Sequence, residues 1–268
     1  MFASLSPARR RLVLGLLAAV VVAALALTAA LLVPRLTADD ATEVSQSELG
    51  PVLLVPGYGG STASLQTLAD RLDAVGRDAT VVDVPDEGTG DMNASAAVLG
   101  TAVDDALART GASSVDVIGY SAGGVIARLW AADGGAEQAR RILTLGSPHH
   151  GTTLADLGSE LAPDQCPEGC RQLTTDSDLL RELNADDETP AGPTWVSIWT
   201  TVDQTVTPPD SAELDGALNL TVQSVCADST VEHGQLPRDP LVQSIVLAEL
   251  AGGQPVALGP ADCGRLSG

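Results

Sequence analysis

The residues best suited to chemistry in this chain are one serine, one aspartate and one histidine, spread over more than a hundred positions. Gly119-Tyr120-Ser121-Ala122-Gly123 follows a stretch at 115–118 that reads as a strand and precedes one at 125–130 that reads as a helix. Glycines two before and two after a serine let a strand turn sharply into a helix, with the serine at a strained apex and its hydroxyl in open space above the sheet. A serine hydroxyl is a weak nucleophile until a base takes its proton. The base in turn needs an acid that fixes its tautomer and stabilises its charged form. The chain has three histidines, His149, His150 and His233. His233 follows the strand-like stretch 218–222, and Asp203 follows the one at 195–199. Ser121, Asp203 and His233 therefore come in the order nucleophile, acid, base, each past the end of a different strand. His149 and His150 lie directly after the strand that follows the serine's. As base they would break that order, and a packing or cap-anchoring role is expected of them.

Acyl transfer through a serine builds negative charge on the attacked carbonyl oxygen, which needs preorganised N–H donors. The backbone of Ala122, next to the serine, supplies one, and the loop Gly57-Tyr58-Gly59-Gly60 supplies the other through Tyr58. A phosphate cradle is the rival for that loop. It fails because no Gly-Lys-Ser/Thr follows and no strand–GxGxxG–helix pattern is present.

These side chains require a scaffold that brings strand ends together. The short, continuous apolar run 52–55 reads as a strand buried on both faces, and the stretches 79–84, 113–118, 141–146, 195–199 and 218–222 read as further strands. Helical patterns alternate with them. The first runs from a cap at Ser61 or Thr62 to about position 75, and others cover 94–109, 125–130 and 241–250. Alternation of this kind calls for an α/β fold, a mostly parallel sheet with helices on both faces. Residues 152–194 break the pattern, being acidic and Pro-containing, and suit either a cap or lid over the site or a solvated excursion.

Charge and cysteine usage bound the setting. All 14 basic residues are arginine, and Arg9, Arg10, Arg11 and Arg35 precede the first acid, Asp39. The remainder carries 10 Arg against 35 acids, a net −25. Such a surface repels nucleic acid and anionic lipid, so no nucleic-acid partner is expected. After the arginine cluster, residues 12–33 are uninterrupted apolar. As a helix they would extend about 33 Å, enough to cross a bilayer core. The basic flank places the N-terminus in the cytoplasm and the rest outside. Residues 1–35 are thus read as a signal anchor, or as a signal peptide if cleaved, 36–50 as a linker and 51–268 as the catalytic domain. The protein is expected outside the cytoplasmic membrane, anchored or secreted, as a monomer. Four cysteines fit export, and Cys166–Cys170 with Cys226–Cys263 is the simplest of the three possible pairings. A zinc site, the rival, would want Cys-x-x-Cys spacing with His nearby, so no metal is expected.

Together with Gly119-Tyr120-Ser121-Ala122-Gly123, the segments Leu145-Gly146-Ser147-Pro148-His149-His150-Gly151-Thr152, Ser197-Ile198-Trp199-Thr200-Thr201-Val202-Asp203 and Val231-Glu232-His233-Gly234 resemble the small secreted bacterial triacylglycerol lipases and esterases of the α/β-hydrolase superfamily. The likeness covers about residues 50–250. It implies a triad at Ser121, Asp203 and His233, an oxyanion hole at Tyr58 and Ala122, and hydrolysis of an acyl ester or lipid without a cofactor. Two departures bear on acyl specificity: Pro56-Gly57 stands where many relatives have His-Gly, and Tyr120 and Ala122 stand where His and Met are frequent. The segment 38–50 is too short for two extra strands, so a compact sheet of about six is expected. An acyltransferase or thioesterase could use the same triad, and an inactive hydrolase fold kept for binding is the reading from another class.

Overall fold

Period-two alternation of the strand side chains divides the core into two halves, one on each face of a sheet. The computed structural model describes residues 44–60 and 62–267, together with Val21. Residues 43–268 cluster as one unit. Six strands, β1 (Val52–Val55), β2 (Ala79–Val81), β3 (Val115–Tyr120), β4 (Ala139–Leu145), β5 (Thr194–Trp199) and β6 (Leu218–Thr221), form one sheet in the order β2-β1-β3-β4-β5-β6. Every neighbouring pair is parallel. Successive side chains of a strand point to opposite faces. Leu53, Val55, Val117 and Ile142 accordingly pack with one set of helices, α2 (Met92–Thr110) and α3 (Ala122–Ala132). Val52, Leu54, Ile118 and Leu143 pack with the other, α1 (Ala63–Asp73) and α8 (Pro240–Glu249). Between α3 and α8 in the chain lie the short helices α4 (Thr153–Leu161), α5 (Glu168–Arg171), α6 (Asp178–Leu183) and α7 (Val222–Val225), and α9 (Cys263–Leu266) follows α8.

Local chemistry accounts for most boundaries. The Asp91 side chain accepts the Asn93 N–H at the start of α2, and Gly111 ends that helix in the left-handed region, its N–H on the Leu107 carbonyl. Two sequence expectations need correction. The second strand stops at Val81 and does not reach position 84, because Pro85 opens a 3-10 turn over Pro85–Gly88 that takes the chain off the sheet edge. Thr62 occupies the cap position of α1, but its backbone is already helical and its side chain makes no capping bond. Residues 152–194 are also more helical than their composition suggests, holding α4, α5 and α6.

Both cysteine pairs are bonded, Cys166 to Cys170 and Cys226 to Cys263. Among the described residues no helix is long and apolar enough to cross a membrane. The apolar run at 12–33 lies outside the described residues except for Val21.

The N-terminal ends of the strands carry a buried charged cluster. Asp116 accepts from Arg140 at 2.8 and 2.6 Å and from Arg77 at 2.5 Å. Arg140 goes on to the carbonyls of Gln46, Leu250 and Ala251, while Gln46 Nε2 donates back to the Arg140 carbonyl. The segment before β1 and the turn after α8 are thus tied to the foot of the sheet. Asp116 and Arg140 are wholly buried. Removing one member of such a pair strands the other without water, whereas the intact pair adds little net stability. Asp116→Ala should therefore lower the unfolding free energy in urea titration by about 3–5 kcal/mol. A change under about 1 kcal/mol would show that water replaces the carboxylate.

Candidate active site

All three residues singled out for acyl chemistry lie at the C-terminal edge of the sheet. Ser121 sits between β3 and α3 with φ 53° and ψ −126°, a backbone region that non-glycine residues seldom occupy. The turn is held from both sides. The Ser121 N–H donates to the Leu145 carbonyl of β4 at 2.8 Å, and the Gly124 N–H to the Ser121 carbonyl at 3.0 Å. On the other side α3 passes so close to β1 that a Cβ at Gly123 would lie 2.2 Å from the Val55 carbonyl oxygen. The glycine two residues past the serine is a steric requirement of this crossing.

A continuous hydrogen-bonded line runs from Ser121 to Asp203. Ser121 Oγ lies 3.1 Å from His233 Nε2, and His233 Nδ1 lies 2.7 Å from Asp203 Oδ2. The other carboxylate oxygen accepts the N–H groups of Thr205 and Val206, each at 2.8 Å, so the acid is oriented by its own following turn. A carboxylate only accepts, so a neutral imidazole placed here donates from Nδ1 to Asp203 and accepts from the serine at Nε2. His233 and Asp203 are both nearly buried. Beneath them Gly146, at φ 56°, leaves the room they need: a Cβ there would meet His233 Nδ1 at 3.1 Å and Leu236 at 2.6 Å. The loop that carries His233 is pinned by Thr200, whose hydroxyl donates to the Val231 carbonyl at 2.6 Å, and by Gln223, which donates to Thr200 and to the Ser229 carbonyl. Sequence reasoning did not single out these supports. An Asp followed two residues later by Thr is a visible signal for the turn, but nothing in the sequence ties Thr200 to residue 231.

The Gly57–Gly60 loop lies beside the serine, and a Cβ on Gly57 would reach within 2.8 Å of Ser121 Cβ. Among the described residues, neither the Tyr58 N–H nor the Ala122 N–H donates to another protein group. The structure takes His149 and His150 elsewhere. His149 is completely buried, its Nε2 3.1 Å from the hydroxyl of Thr144, which itself donates to Ser197 Oγ. The His149 ring therefore donates from Nε2, and Nδ1 has no partner among the described residues. His150 pairs with Glu188 at 2.9 Å.

An apolar cleft of about 150 Å³ opens at the serine, walled by Tyr58, Leu154, Cys170, Leu173 and Val206. Half of that wall belongs to the segment 152–194. The segment is fastened to the body at its middle: the Gly169 N–H donates to the Thr89 carbonyl, and Gln172 bridges Asp91 and the Met92 N–H. Leu154, Leu157 and Leu161 share one face of α4 and stay half or more exposed, continuing the apolar wall outward. Among the described residues no cluster of His, Cys, Asp and Glu is arranged to hold a metal.

A parallel sheet wound in this order, with a serine at a strained strand-to-helix turn, is an α/β-hydrolase. The chain belongs to the class 2 lipase family, whose pattern matches residues 102–244. Among solved structures it is similar to Aspergillus fumigatus lipase B, with a TM-score of 0.66 and 18% identity over 82% of this chain and 60% of that one. It is similar also to the mature form of Bacillus licheniformis lipase BlEst2, with a TM-score of 0.63 and 18% identity over 78% of this chain and 95% of that one. The chain thus spans about three-fifths of the fungal lipase and nearly all of the bacterial one. No curated protein matches it in sequence.

Two tests follow from the geometry. Burial first, then the charges of Arg128 and His150, push the His149 imidazole well below its ordinary value of 6.5. The unfolded chain takes up this proton below about pH 6.5 and the folded one does not, so this contribution to stability is lost as pH falls, by up to about 1.4 kcal/mol per unit. His149→Gln should flatten the fall in unfolding free energy between pH 7 and 5 relative to the parent, and an unaltered slope would mean that the native ring protonates freely. For the cleft, Cys170 is a wall residue and Gly158 of α4 rests on its sulfur, a Cβ there lying 3.5 Å away. Replacing Cys166 and Cys170 by serine should shift the preference over p-nitrophenyl esters from acetate to decanoate by at least about threefold, since one CH₂ placed in or out of an apolar wall is worth about 0.8 kcal/mol. Identical profiles would remove the disulfide from the acyl path.

Proposed function

We propose that Ser121, His233 and Asp203 are a catalytic triad that hydrolyses lipid or other acyl esters through an acyl-serine intermediate, outside the cytoplasmic membrane. The observation that carries this reading is the His233 ring, bonded on one nitrogen to the serine hydroxyl and on the other to a carboxylate. As Ser121 Oγ bonds to the ester carbonyl carbon, its proton passes to His233 Nε2, and Asp203 stabilises the imidazolium. The carbonyl oxygen, now negative, takes the two uncommitted N–H groups of Tyr58 and Ala122. Collapse breaks the ester C–O bond, and the imidazolium returns its proton to the leaving alcohol. Water then repeats the sequence on the acyl-serine and frees the acid.

The apolar cleft favours an acyl chain over a polar substituent at this position. A space of about 150 Å³ is the size that accepts benzene in an engineered protein core, so the cleft beside the serine takes about six carbons. Longer chains would run out along Leu154, Leu157 and Leu161. The two disulfides are compatible with an oxidising, extracytoplasmic compartment. In this reading residues 1–35 are the anchor or signal, 36–50 the linker and 51–268 a monomeric catalytic domain, with 152–194 as its cap.

Ser121→Ala should abolish ester hydrolysis and fluorophosphonate labelling, with kcat down by at least about a thousandfold and the melting temperature little changed. His233→Ala should be inactive, whereas His150→Ala should keep most activity. Labelling that persists in Ser121→Ala, or activity that persists in His233→Ala, would overturn the assignment.

A further inference from the structure

We propose that Tyr120, the residue before the nucleophile, is a positioning residue for His233, backing the imidazole with its ring and holding the histidine's backbone with its hydroxyl. The inference rests on the reading of His233 as the general base. Two separate contacts support it. The Tyr120 and His233 rings lie 5.3 Å apart between centroids, tilted 34° from parallel. The Tyr120 hydroxyl donates to the His233 carbonyl at 3.3 Å. Tyr120 is also the last residue of β3, so one rigid strand end supplies both the nucleophile and the support of its base. The two partners come from positions 113 residues apart, and this contact fixes their separation directly.

The chemistry of the pair favours the charged form of the base. An aromatic face carries negative electrostatic potential and attracts a cation within about 6 Å of its centre. As general base, His233 is a cation once it has taken the serine proton and not before. The attraction is therefore greater in the transition state than in the substrate complex, the condition for raising kcat without tightening binding. Burial, with the Asp203 carboxylate adding to it, pushes the Tyr120 phenol up to about 12. Its hydroxyl stays a donor at neutral pH, and the ring stays uncharged.

The other groups around the imidazole are Asp203 on Nδ1, Ser121 on Nε2 and Leu236 packed at its side. The charges nearby are Asp203, Glu232 next in the chain, and Arg238, whose Nε donates to the Gly234 carbonyl. None of these bonds to the Tyr120 side chain. A change confined to that ring leaves them in place, and its effect on the pH profile can be read separately.

Three proteins separate the roles. Tyr120→Phe keeps the ring and removes the hydroxyl, so the acid limb of kcat/KM should stay within about 0.2 pH units of the parent while kcat falls by less than about threefold. Trifluorophenylalanine at position 120, introduced by codon suppression, keeps the shape of phenylalanine and removes most of the ring's negative face. Relative to Tyr120→Phe it should move the acid limb about half a unit to lower pH and reduce kcat about twofold to fivefold, with KM unchanged. Tyr120→Leu removes both contacts and should show the same shift with a larger loss of kcat. Its melting temperature reports whether it folds, and the two aromatic variants carry the test if it does not. Coincident pH profiles and kcat values for the phenylalanine and trifluorophenylalanine proteins would overturn the proposal, leaving Tyr120 as packing alone. That outcome differs from failure of the triad itself, which His233→Ala with retained activity would reveal.

Discussion

Ser121 at φ 53° is the constraint from which the other features of the site follow. A non-glycine residue in such a region costs about 1–3 kcal/mol, and it persists only where its surroundings leave no alternative. Here β3 delivers the chain between two parallel neighbours, β1 and β4, and α3 must leave at once across the sheet. The N–H of Ser121 on the Leu145 carbonyl and the contact of Gly123 with β1 lock both sides of the turn. The hydroxyl is left at the sheet's C-terminal edge, where the loops after β1, β4, β5 and β6 meet. Each of those loops brings one component of the site: Tyr58, Gly146, Asp203 and His233.

The two ends of the sheet divide the work. The N-terminal end holds the wholly buried Asp116–Arg140 pair with Arg77, a network that gathers the segment before β1 and the turn after α8. It is closed to substrate and its polar groups face one another. The C-terminal end keeps N–H donors uncommitted and holds a serine hydroxyl on an imidazole, at the mouth of an apolar cleft. With a core of Val, Leu, Ile and Ala and few aromatic residues, the chain places two of its three tryptophans and one of its two tyrosines at strand ends or beside them. Tyr120 is the one that reaches the proposed base.

The segment 152–194 joins the two aspects. Its helices are short, braced by the Cys166–Cys170 bond and by Asp156 on Thr175, and tied to the start of α2 by Gln172. A segment fixed at its middle as well as its ends acts as a wall of the cleft, and the exposed leucines of α4 extend that wall into solvent.

Much of this was legible in the residues. Buried strands are rich in apolar residues, so the sequence places five of the six to within two residues or so of their observed limits, and their alternation with helices implies the parallel sheet. The glycine-spaced serine, and the order of Asp203 and His233 after it, pointed to residues that the structure brings within hydrogen-bonding distance. Local rules could say this because the serine turn is a local steric demand and because each strand in a parallel sheet ends at the same edge. The edge strand is shorter than its sequence suggests: after the Val82 N–H reaches the Leu54 carbonyl, the chain leaves the sheet toward the turn that Pro85 opens. Contacts between distant segments obey no local rule. That the Tyr120 ring lies against His233, that Thr200 holds the Val231 carbonyl, that His149 is buried against Thr144, and that Cys170 walls the cleft were decided by packing, because side chains far apart in sequence meet only where the closed core leaves them a common space.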